Sequence, residues 1–317
     1  MDHDAVVIGT SIAQAVLMGA LPIVVAVIAV RRGLPKWMIA VGAATFLGSQ
    51  VVHLPMNVAL TMIGAELGLN ETLSGPSALV VNALVLGFTA AFCEEGARFL
   101  VFRWTFARRT EWRSPGGALA HGLGHGGFEA MALGALVAVQ IVGMLSMRDV
   151  DLSRMPMPDD QRALAMRQVA EYWAMPAWLP FVGVLERVLT MCLHAALSVS
   201  VAYGVATRRF RPVWLAFLAH WSVDAFAVLA VGGVPMLAGD ETSGTSYAGI
   251  LATEAALAVV ALVSLRFLKA SWSLRFSPSV EAAPSVGGAP NVEVASAQAA
   301  SSSEATPDAS DGSPPPE

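Results

Sequence analysis

Glu94 and Glu95 stand side by side inside an otherwise apolar segment, with no charged residue from Ser77 to Cys93 before them. Arg98 follows one helical turn later, and Phe99 to Phe102 separate it from a basic cluster. A carboxylate in the hydrocarbon of a bilayer costs several kcal/mol, and neighbouring like charges add repulsion. Such groups persist where partners or a chemical task compensate. The partners in reach are histidines: of the 6 in the chain, His53, His121, His125, His194 and His220 all lie in apolar stretches. Glutamate and histidine together can activate water, move protons or bind a metal ion.

Spacing groups these residues by helix face. His121, His125 and Glu129 recur every fourth residue and so stack on one side of a helix. Gly122, Gly124, Gly126 and Gly127 lie between them, so a neighbouring helix or a substrate backbone can come close. Glu186, Thr190 and His194 share a face of a later segment, and His220 and Asp224 a face of the next.

The elements that must position them are membrane helices. The chain is 55% hydrophobic and 14% charged, the composition of a polytopic membrane protein. The expected fold is all-α: a transmembrane bundle of about seven spans over 5–30, 37–63, 77–104, 117–146, 177–206, 213–237 and 247–268. Arg31, Arg32 and Lys36 follow the first span, Arg103, Arg108, Arg109 and Arg113 the third, Arg208, Arg209 and Arg211 the fifth, and Arg266, Lys269 and Arg275 the seventh. The positive-inside rule then predicts a multi-pass protein of the bacterial cell membrane, N-terminus outside and C-terminus cytoplasmic. The acidic first residues and the long first apolar run argue against a cleaved signal peptide.

Loop 147–176 is the sizeable external segment, with a short helix expected from Asp159-Asp160 to about Tyr172 and anchors at Trp173 and Trp178. Residues 1–275 are expected to form the bundle, with its core at 77–237. Residues 276–317, rich in Ser, Pro, Ala and Gly and acidic in their charge, are expected to form a disordered cytoplasmic tail. Cys93 and Cys192 both fall inside spans and read as small core residues.

Depth strengthens the grouping. With a rise of ~1.5 Å per residue from the basic helix ends, Glu94 and Glu95 lie roughly 13–15 Å deep. By the same rise His125 and His220 lie about 12 Å deep, and His194 and Asp224 about 18 Å. Spans three to six alternate in direction, yet these residues share one layer. His53 and Glu186 lie nearer the other face, where gating, packing or pairing with Arg187 are open, and Glu254 stands alone in span seven.

Four motifs occur in order on four consecutive spans: Glu94-Glu95-Gly-Ala-Arg98, Gly124-His125-Gly-Gly-Phe-Glu129, Glu186-Arg187 with His194, and His220-Trp-Ser-Val-Asp224. The set resembles the glutamic-type intramembrane protease superfamily of CAAX prenyl endopeptidases, PrsW proteases and Aph-1 scaffolds. Within it the match is to the YhfC-like bacterial membrane peptidases. The resemblance covers roughly 40–230 and implies a four-helix catalytic core on spans three to six.

It implies an endopeptidase acting on a membrane-embedded or membrane-associated peptide or protein in the bilayer, with no nucleic-acid partner. Glu94 would activate water, and Glu95 with Arg98 would form a supporting pair. His125 would orient the water or protonate the leaving nitrogen. His220 would donate to the oxyanion, with Asp224 fixing its tautomer. His121, Glu129, Glu186 and His194 are supporting residues. Two features depart from the CAAX pattern: the Glu-Glu-to-Arg spacing is one residue shorter, and Asp224 stands where many relatives have asparagine.

This glutamate mechanism needs no cofactor. The alternative is a zinc metalloprotease with His125, His194 and His220 as ligands. It lacks the His-Glu-x-x-His signature, because Gly122-Leu123-Gly124 separates His121 from His125. A non-catalytic scaffold or a proton-coupled transporter would also use buried Glu and His. No internal repeat of the transporter kind is present.

Overall fold

A computed structural model describes residues 2–237, 247–274 and 276. Its helices are α1 (His3–Arg31), α2 (Lys36–Glu66), α3 (Leu69–Thr72), α4 (Gly75–Arg108), α5 (Pro115–Met147), α6 (Asp159–Ala174), α7 (Leu179–Thr207), α8 (Arg211–Leu237) and α9 (Tyr247–Ser271). No strand occurs among the described residues. Seven of these helices (α1, α2, α4, α5, α7, α8 and α9) are long and apolar enough to cross a membrane. They match the seven expected spans to within a few residues. The short helix expected in the longest loop is α6.

Local chemistry starts the two helices that carry most of the polar motifs. Ser114 caps α5, its hydroxyl accepting from the Gly117 N–H at 3.0 Å, and Pro115 occupies the first turn. α4 begins at Ser74, whose N–H donates to the Ser77 hydroxyl at 3.3 Å, with Pro76 in the first turn. α7 ends at Arg208, which takes the left-handed conformation (φ 57°) at the turn into α8.

α5 is the central element, packing on α1, α2 and α7, while α4 lies along α8 and α2. The predicted role of the glycines is met by backbone-to-backbone packing. A Cβ on Gly42 of α2 would collide with the carbonyl of His121, and one on Gly124 with the carbonyl of Ile39. On the opposite flank a Cβ on Gly122 would lie 2.5 Å from Cα of Ala195 in α7. α5 is therefore wedged between α2 and α7, and its two histidines are held by main chain on both sides.

Two expectations are adjusted. The site is not confined to spans three to six, because α2 supplies polar groups to it, as set out below. Phe276, assigned by composition to the tail, is buried against Tyr203. Residues 277–317, the rest of the expected disordered tail, and loop 238–246 lie outside the described residues.

Candidate metal and proton-transfer site

Glu94 is the hub. Its Oε2 lies 3.0 Å from Nε2 of His125, 3.8 Å from Nε2 of His220 and 3.8 Å from an Arg98 guanidinium nitrogen. Its Oε1 accepts from the Gln50 side-chain amide at 3.3 Å. α2, α4, α5 and α8 thus meet at one carboxylate.

Arg98 is fully buried and sits behind that carboxylate. It donates to Glu95 through one nitrogen and, at 2.8 Å, to Nδ1 of His194 through another. Arginine can only donate, so Nδ1 of His194 bears the lone pair and Nε2 bears the proton. That Nε2 faces Glu129 Oε2 at 2.7 Å. Arg187 donates to Glu129 at 2.7 Å and also pairs with Glu186. The expected pairing of Glu186 with Arg187 is present, and through Glu129 it braces His194.

His220 donates from Nδ1 to Glu95 Oε1 at 2.8 Å. Asp224 Oδ2 instead approaches Nε2, at 3.4 Å. Glu95, not Asp224, therefore holds the ring of His220. The carboxylate one helical turn away faces the nitrogen turned toward the hub. Sequence spacing could pair 220 with 224 but could not show that a carboxylate from α4 comes closer.

His121 and His125 share a helix face and are both fully buried, as spacing predicted. Their partners differ. His121 lies 3.0 Å from the Thr45 hydroxyl and 3.2 Å from the Ser198 hydroxyl, so both ring nitrogens are occupied. His125 reaches Glu94 with Nε2, while its Nδ1 is buried with no hydrogen-bond partner.

Glu94, His125 and His194 each offer a ligand atom within 4.8 Å of the others, and all three residues are buried. Two imidazoles and a carboxylate are a zinc-type donor set. The outer contact also resembles that at metal-ligating histidines, since Nε2 of His194 lies 2.7 Å from the Glu129 carboxylate. The donor types therefore fit a zinc ion, and its binding would displace the Arg98 guanidinium from Nδ1 of His194, where it now donates at 2.8 Å. The trio differs from the three histidines weighed from sequence, because His220 turns its Nδ1 to Glu95 and Glu94 takes its place in the group.

Sequence reasoning missed Gln50, Thr45 and Ser198. All three are neutral and short of any motif. The available signal was a polar stripe on α2 at Gln50, His53, Asn57 and Thr61, which shares one helix face. His53 is tied to the site through this stripe. Glu254 on α9 is buried with one carboxylate oxygen unpartnered, and it is not in the ligand group.

Seven membrane-length helices define a polytopic membrane protein, and α4, α5 and α7 bring together a buried carboxylate and two imidazoles that could hold a metal ion. The chain belongs to the YhfC intramembrane metalloprotease family, whose model matches residues 17–239. It is 27% identical over 148 residues to a protein of Bacillus subtilis (strain 168) named "Uncharacterized membrane protein YhfC". That alignment covers 46% of this chain and 55% of the relative, so the chain spans about half the length of the curated relative it matches. No solved structure matches.

Proposed function

We propose that this protein is an intramembrane endopeptidase that hydrolyses a peptide bond of a membrane-embedded or membrane-associated substrate with a zinc ion held by Glu94, His125 and His194. The observation that carries the reading is the convergence of those three buried side chains from three different helices. Zinc in such a site polarises a carbonyl and makes water easier to deprotonate.

The chain's own residues supply the rest. Glu129 lies 2.7 Å from Nε2 of His194, and Nδ1, which accepts from Arg98 here, would turn its electron pair to the ion once Arg98 is displaced. Arg98 anchors Glu95, and Glu95 anchors His220. With both nitrogens protonated, His220 presents Nε2–H at 3.8 Å from Glu94, where it can donate to the scissile carbonyl oxygen or hand a proton to the leaving nitrogen. Asp224, whose side chain is 35% exposed, stands 3.4 Å from that nitrogen and can exchange the proton onward.

One observation favours a second, metal-free reading with Glu94 as the general base. Glu94 Oε2 is already within 3.0 Å of His125 and 3.8 Å of His220, an arrangement that could hold an attacking water. Purified protein and a model transmembrane peptide separate the two. Stoichiometric zinc, with cleavage lost to a chelator and restored by metal, supports the metal reading. Cleavage by metal-free protein that a chelator leaves intact supports the glutamate base. No cleavage by either form, against a panel of membrane peptides, overturns the proteolytic reading. The N-out orientation inferred from the basic loops is part of this proposal, and accessibility labelling of single cysteines in loops 32–35 and 67–68 tests it.

A further inference from the structure

A hydrolase inside a membrane needs water, and the helices on most flanks of this site touch main chain to main chain. The seam between α2 and α4 is different. From Glu94 a string of hydrogen bonds runs along α2 away from the site. The Gln50 amide donates to Glu94 Oε1 at 3.3 Å. Gln50 Oε1 accepts from Nδ1 of His53 at 3.2 Å. Nε2 of His53 is then left as the acceptor for the Asn57 amide at 3.0 Å, with the Thr89 hydroxyl of α4 3.3 Å from the same nitrogen. Each link is fixed by the one before it, so the string is polarised, with every N–H directed toward Glu94.

The far end is incomplete. Asn57 Oδ1 is buried and has no hydrogen-bond partner. It needs a donor, and a buried acceptor without one is a costly feature. Asn57 also lines a cavity of about 200 Å³ between α2, α3 and α4, together with Thr61 and Asn82. The rest of the lining, including Leu60, Leu69 and Val85, is apolar, so Asn57, Thr61 and Asn82 are the polar groups that could hold water there, and a small shift of the Asn57 amide would bring its buried Oδ1 to that water. Gln50, His53, Asn57 and Thr61 recur on one helix face that would otherwise lie in an apolar seam.

We propose that this cavity holds water and that water reaches Glu94 along the Asn57–His53–Gln50 face when these side chains exchange their mutual hydrogen bonds for bonds to water, with Gln50 as a positioning residue that keeps Oε2 of Glu94 turned to His125 and His220. The purpose of the route rests on the hydrolytic reading above. Its hydration does not.

The test uses full-length protein with Cys93→Ala and Cys192→Ala as background and single cysteines Asn57→Cys, Thr61→Cys, Asn82→Cys and Val58→Cys in membranes. A small charged methanethiosulfonate reagent attacks only thiols that water can reach and ionise. Labelling at 57, 61 and 82 at least about tenfold faster than at 58, a lipid-facing position on the next helix face, is the expected result. Absence of labelling at 57 and 61 overturns the route, whatever the cleavage assay gives. Labelling as expected in a protein that cleaves nothing leaves the route standing and removes the proteolytic reading. In a cleaving protein, Asn57→Leu lowers kcat by about tenfold with KM and bound metal unchanged, and Asn57→Ser, which puts a polar hydroxyl in place of the amide, recovers most of it. An unchanged kcat in Asn57→Leu overturns the link between route and reaction.

Discussion

His121 and His125 are one turn apart on the same helix, equally buried, and in the same glycine-rich stretch. They differ in what faces them. Neutral hydroxyls from α2 and α7 take both nitrogens of His121, whereas His125 meets the carboxylate of Glu94 and keeps one nitrogen unpartnered. The first arrangement satisfies a ring and fixes a helix crossing. The second leaves a ring able to ligate or to move a proton. Residue type and period are the same, so the partner sets the chemistry.

The sharpest way to break this contrast is at the shared carboxylate. Glu94→Gln and Glu94→Ala are expected to lower cleavage at least about 1,000-fold while folded protein is recovered, because both readings of the mechanism need its charge. Substantial cleavage by both variants, in detergent and in membranes, would end the comparison. Next comes the direct exchange. His125→Ala should remove bound zinc and cleavage together, and His121→Asn should keep stoichiometric metal and stay within about tenfold of wild-type activity. Metal analysis and cleavage rates on the same preparations decide it, and equal losses in the two variants would show that both rings serve the site.

Smaller effects sharpen it. Glu129→Gln takes away the carboxylate behind His194 and is expected to weaken metal affinity about 10- to 100-fold, measured by competition with a chelator. Thr45→Val leaves one nitrogen of His121 buried without its hydroxyl. It should cost about 1–3 kcal/mol of stability in a denaturant titration and leave kcat nearly unchanged. A large kcat effect from Thr45→Val would move His121 into the reaction.

The polar layer was legible because charged residues are rare in apolar helices, so Glu94, Glu95, Arg98 and the histidines stood out and their depths agreed. The seven spans were legible for the same reason, with loop arginines as punctuation. What stayed hidden depends on which helix faces meet. The hold of Glu95 on His220 joins α4 to α8, and no spacing within either helix encodes it. Gln50 carries no charge and belongs to no motif, so only its place on a polar face hinted at a role. The close approach at Gly122 and Gly124 was foreseeable from the glycines, but not the particular neighbours, α7 and α2.

The contact between Arg98 and Glu95 is three residues apart on a single helix, and this bears on how the protein is made. α4 leaves the ribosome before α5, α7 and α8 exist. It carries its own counter-ion, so the arginine can be partitioned into lipid without help from another segment. Glu94 has no such companion in its own helix at hydrogen-bond distance, and its 3.0 Å partner, His125, lies in the very next segment to be synthesised. The order of the first two motifs along the chain is thus also an order of biogenesis, in which Glu94 waits for one further membrane helix to be inserted.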